Sequence, residues 1–206
     1  MTRRAVWSST ALLLTVGLAG TASAAAPVSC GLVKDKAGDA TFQQLGQTPS
    51  DDGLDGVGGD LASDKSVLTV VIKLKAWTSP DPQGPLGRDF YFEFRPAKAP
   101  TTMYLSYNEA PTGAATFSYG DLEPQASGFT NYVPKGQADG VIKGNELHTW
   151  ADADTLGDLG SVAPKTKIAG LQVETFNRTG TLLNKYDTAT GKTYVAGTKS
   201  CIPLGK

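Results

Sequence analysis

"SVLTVVIKLKAW", residues 66–77, decides the fold. Leu68, Val70, Ile72, Leu74 and Ala76 alternate with Thr69, Val71, Lys73, Lys75 and Trp77. Successive side chains of a strand point to opposite faces, so this period of two predicts a strand with one buried face. Downstream, "RDFYFEFR" (88–95) repeats the pattern, with Phe90, Phe92 and Phe94 inward and Tyr91, Glu93 and Arg95 outward. "TMYLSY" (102–107) sets Met103, Leu105 and Tyr107 against Tyr104 and Ser106. Further strands are expected near 115–119, 140–144, 146–150, 167–176 and 192–197. "SPDPQGP" (79–85) cannot pair as a strand, because proline lacks the ladder donor. "DTATG" (187–191) reads as a hairpin loop, "ADADTLGDLG" (151–160) as a helical turn, and 120–137 as a long polar loop. Together these predict an all-β chain: an antiparallel β-sandwich of roughly eight to ten strands with one short helical turn.

Upstream lies "SDDGLDGVGGDLASD" (50–64), five aspartates interleaved with glycine. It reads as turns and a short edge strand leading into the central strand. It fails the EF-hand template: starting at Asp51, position 3 is Gly53 and position 12 is Ala62, where ligands are required. Calcium sites in sandwiches draw on separate loops, however. "KDKAGDA" (34–40) could converge with this stretch, making Asp35, Asp39, Asp51, Asp52 and Asp55 candidate calcium ligands. The competing reading is that Asp and Gly are simply good turn residues.

The first residues are not fold. Arg3 and Arg4 precede the short apolar run "ALLLTVGLAG" (11–20), and Ala22-Ser23-Ala24 fits a signal-peptidase site. Residues 1–24 are therefore expected to be a signal peptide and 25–206 a single sandwich domain, secreted to the extracellular side. No second run is long enough for a membrane helix, so no span is expected after cleavage. Nineteen Lys and Arg against 20 Asp and Glu, mixed along the chain, form no basic stripe for nucleic acid. Export places Cys30 and Cys201 in an oxidising compartment, and one bridge between the chain ends is the simplest reading. Two thiols or metal ligation are the alternatives, although two cysteines and one histidine cannot fill a zinc site unaided.

Catalytic signals are weak. The single histidine, His148, sits mid-strand, and no G-x-S-x-G is present. "TATGKT" (188–193) has Tyr186 where a phosphate loop needs its first glycine. Glu93, Glu109, Glu123, Glu146 and Glu174 are available as carboxylates, but no local pattern pairs any two. No catalytic residue is assigned, and a non-enzyme is expected. The remaining candidates are aromatic. Trp77, Tyr91 and Tyr104 should share the polar face of their strands, where flat rings can stack on sugars.

The order "KDKAGDA", "LDGVGGDLASDKSVLTVVIKL", a proline-rich loop, "RDFYFEF" and "MYLSY" resembles secreted bacterial DOMON-like domains, a group that includes the family 9 carbohydrate-binding modules. "GNELHTWADADTLGDLG" and "KIAGLQVET" resemble their later strand, polar turn and strand. The resemblance implies a β-sandwich that binds sugar or haem, or has no known ligand. For haem, Met103 and His148 would be the only Met/His pair of the mature chain. The expected function is an exported non-catalytic binding module for cell-wall or environmental glycan. The alternative is a structural or interaction protein of the cell surface with no small-molecule ligand. No cofactor is assigned beyond the calcium option.

Overall fold

A computed structural model describes residues 30–40, 51–80, 87–126, 130–157, 162–179 and 182–205. The expected leader, residues 1–24, lies outside them. The central strand β3 (Val67–Leu74) pairs antiparallel with β2 (Gly56–Ser63) on one side and β9 (Glu146–Asp152) on the other. β1 (Val33–Lys34) and β8 (Asp139–Lys143) complete a five-stranded sheet in the order β1-β2-β3-β9-β8. The second sheet runs β11-β10-β4-β5-β6-β7: Leu182–Thr190, Lys167–Thr179, Arg88–Pro96, Thr102–Glu109, Ala115–Pro124 and Thr130–Gln137. The two-residue β12 (Tyr194–Val195) pairs with β10 as a seventh strand. One helical turn, α1 (Ala153–Gly157), follows β9. The fold is therefore the all-β antiparallel sandwich that the alternating pattern predicts. Among the described residues no helix is long and apolar enough to cross a membrane.

The core forms as the parity requires. Leu68, Val70, Ile72 and Leu74 of β3 join Phe90, Phe92 and Phe94 of β4 and Met103, Leu105 and Tyr107 of β5 in one buried cluster. The glycines of "GVGG" let the sheets approach. A Cβ on Gly59 would lie 2.8 Å from the Phe92 ring and 3.0 Å from Val173. A Cβ on Gly58 would strike the Val33 carbonyl at 2.9 Å, so β1 could not pair there. Thus β2 is an eight-residue, largely buried strand with a neighbour on each side, rather than a short edge. Cys30 and Cys201 form a disulfide, with a Cα–Cα distance of 5.5 Å and a sequence separation of 171. Closing so long a loop restricts the unfolded chain by about 5 kcal/mol on the chain-entropy account.

Three local expectations change. Residues 120–124 finish β6 and 130–137 form β7, the edge strand of its sheet; the polar texture of β7 reflects side chains left largely exposed at that edge. Asp187–Thr190, expected as a loop, finish β11. The strand expected over 192–197 shrinks to Tyr194–Val195, because Gly197 turns the chain with φ 80°.

Candidate functional site

The seven-stranded sheet has an outer face of unusual composition. Tyr91 and Glu93 of β4, Tyr104 of β5, Glu174 and Phe176 of β10 and Tyr132 of β7 share it. β7 is separated from β4 by β6 and β5, so a flat sheet would hold the two about 14 Å apart. Yet the Tyr132 ring stacks on Tyr91 with centroids 3.9 Å apart. The sheet must curl, and Gly120 and Gly136 permit it. A Cβ on Gly120 would meet the Val133 carbonyl at 2.1 Å and the Tyr104 hydroxyl at 2.6 Å, and one on Gly136 would enter the Tyr119 ring. The β6–β7 register shifts between Tyr119 and Gly120, a bulge that bends the strand pair.

The curl brings Tyr132 over the middle of the sheet. Its ring meets Tyr104 at 5.5 Å and Phe176 at 5.7 Å, both edge-on. Its hydroxyl lies 2.5 Å from Glu93 Oε1 and 2.6 Å from Glu174 Oε2. A phenol carries one proton, so it donates to one carboxylate and is fully matched at the other only when that carboxyl is protonated. Glu93 suits the second role: burial first, then the charge of Glu174, pushes it up to about 7. Burial also raises the phenols of Tyr91, Tyr104 and Tyr132. Glu174 is held further by Lys185 and Gln172. Tyr91 and Tyr104 are buried, whereas Tyr132 keeps partial exposure and is the outermost ring of the stack.

Trp77 lies elsewhere. β3 ends at Leu74, so the alternation does not reach Trp77, and β3 belongs to the other sheet. The Trp77 ring packs on the core beside Phe90 (5.8 Å) and Tyr107 (5.4 Å), with the Arg88 guanidinium 4.1 Å from its centroid. Arg88 is fully buried and pairs with Glu109 at 2.6 Å. The structure thus brings Tyr91 and Tyr104 together (5.2 Å) and leaves Trp77 apart. Tyr132, Phe176 and the pairing of Glu93 with Glu174 had no local signal, since Tyr132 meets those carboxyls across 39 and 42 residues.

The aspartates divide in the same way. Asp51 caps its own turn through Gly53 N–H (2.8 Å), and Asp52 pairs with Lys75 (2.8 Å). Asp55 accepts from Gly38 N–H at 2.5 Å. Asp60, which was not a candidate, accepts from Leu32 N–H and Lys73 and so ties β1 to β3. Asp35 and Asp39 converge with Asp187 of β11, their nearest carboxylate oxygens lying within 4.8 Å of one another. Burial, with Asp35 and Asp39 adding like charge, pushes Asp187 up to about 6, against the pull of the Gly56 and Thr188 N–H groups. Burial likewise raises Asp55. Met103 is a core residue of the seven-stranded sheet. His148 is buried in β9 of the other sheet, its Nε2 3.0 Å from Glu146.

No family model matches the chain, and no curated protein matches it.

Proposed function

We propose that this chain is an exported, non-catalytic binding module whose ligand is a glycan, and that the contacting ring is Tyr132. The observation carrying this reading is the outer face of the seven-stranded sheet, where Tyr132 is stacked on Tyr91 and flanked by two carboxyls. Rings beside a few fixed polar groups are the usual make-up of a ligand site. Tyr91 and Tyr104 act as backing that fixes the plane of Tyr132. The leader-like N-terminus, the disulfide and the resemblance to DOMON-like and family 9 carbohydrate-binding domains support export and the sugar class. Affinity electrophoresis of the wild-type protein through gels containing xylan, β-glucan or glycol-chitin tests the reading. Slowed migration in at least one gel is expected; unchanged migration in every gel overturns it.

The second reading, a surface protein with no small ligand, is favoured by a specific observation: the rings also satisfy one another, and Tyr91 and Tyr104 are 6% and 2% exposed. In that case the patch is a small second core. Calcium belongs to the first reading as a stabilising ion, held by Asp35, Asp39 and Asp187. A cation there would offset the burial and the added like charge of Asp35 and Asp39 that together raise Asp187. Binding to the native state raises stability by mass action, so the melting temperature should rise with calcium and fall with chelator. An identical melt in both returns these aspartates to turn formers.

A further inference from the structure

A second surface of opposite character lies at one end of the sandwich. The turn after β4 and the turn before β10 stand side by side there, joined by Ala97 N–H donating to the Lys167 carbonyl at 2.7 Å. Two open depressions, of about 630 and 560 Å³, share Ala97, Lys98 and Lys167 and run together as one trough. Arg95, Lys98, Lys165 and Lys167 line it, all four exposed, and no carboxylate lines either depression among the described residues. In a chain whose charges nearly balance, such local segregation is a field that attracts anions.

The backbone adds an independent mark. Lys98 (φ 73°) and Lys165 (φ 72°) are the two non-glycine residues with positive φ among those described, and both sit on this trough. Glycine would adopt that conformation freely, whereas a side chain there is strained. Strain of this kind gathers at functional sites, where it fixes a side chain that the turn itself does not need. Among the described residues neither lysine joins an ion pair. Among the described residues the Arg95 side chain reaches the Pro100 carbonyl alone, at 3.5 Å.

We propose that the trough lined by Arg95, Lys98, Lys165 and Lys167 binds the carboxylate groups of an acidic polysaccharide. An extended polymer suits a trough shared by two depressions better than a single small anion does. The proposal is separate from the ring cluster and stands if neutral glycans do not bind.

Retention on immobilised polygalacturonate at low salt tests it, with dextran beads as the neutral control. The wild type should be held by polygalacturonate, pass through dextran and elute as salt rises. The paired variant Lys98→Gly, Lys165→Gly is the sharpest probe, because glycine keeps the turns while removing the charge. It should lose retention while its melting temperature stays level or rises. Arg95→Gln, Lys167→Gln should weaken retention independently, without altering either strained turn. A wild type that passes through polygalacturonate, a glycine variant held like the wild type, or equal retention on double-stranded DNA would each overturn the proposal.

Discussion

The seven-stranded sheet buries side chains on both of its faces, and for different reasons. On the inner face Phe90, Phe92 and Phe94 meet the opposing sheet, an apolar burial that follows from strand parity alone. On the outer face Tyr91 and Glu93 are only 6% exposed, although parity sends them toward solvent. They are covered by their own sheet, which curls at Gly120 and Gly136 until Tyr132 lies on Tyr91. The apolar packing of the inner face contributes stability that is indifferent to pH. The outer face buries ionisable carboxyls, so its contribution depends on their protons. Alternation alone thus tells which residues point away from the core, but not which of them meet water.

Removing a core ring should have the largest effect. Phe92→Ala leaves a cavity between the sheets and should cost about 3–5 kcal/mol, at pH 5 and pH 8 alike, in denaturant unfolding. A cost that changes strongly between those two pH values would break the contrast between the faces.

The next effect belongs to Glu93. Its folded value, raised to about 7, exceeds its ordinary one, so between about pH 4.5 and 7 the folded state holds a proton that the unfolded state has released. Stability from this group is therefore highest below that window and falls as pH rises through it, by roughly 3 kcal/mol in all. Asp187, raised to about 6, tilts stability the same way between about pH 4 and 6. Glu93→Gln should flatten the fall between pH 5 and 8, leaving the Asp187 share. An unchanged slope would mean that Glu93 is not titrating in the fold.

A smaller effect is expected for Tyr132→Phe, which keeps the ring and deletes the shared donor. Two buried carboxyls then lose a partner, a cost of about 2 kcal/mol. The loss should be greater at pH 8, where Glu93 has lost its proton, than at pH 5. Equal costs at the two pH values would argue against the shared proton.

What the chain reveals in advance follows the same division. β3, β4 and β5, the core set and the Cys30–Cys201 bridge are legible because each rests on a short-range pattern or, for the bridge, on the two cysteines standing alone near the chain ends behind a leader-like segment. Parity alone sends Trp77 to the polar face, but its strand stops at Leu74, so the alternation does not extend to it. Tyr132 lay in a stretch whose polar texture resembled a loop, and only the bulge at Gly120 carries it over the sheet. Asp187 meets Gly56 N–H across 131 residues, so no local spacing could join it to Asp35 and Asp39.

The most direct test compares the two faces as ligand sites. Tyr132→Ala and Trp77→Ala should be run beside the wild type through whichever polysaccharide gel slows the wild type, at a temperature where circular dichroism shows both variants folded. Tyr132→Ala should migrate as if no polysaccharide were present. Trp77→Ala should still be slowed, its defect appearing instead as a lower melting temperature, since its ring packs on Phe90 and Tyr107. Retardation that survives Tyr132→Ala and disappears with Trp77→Ala would contradict the assignment of the outer sheet face as the glycan site.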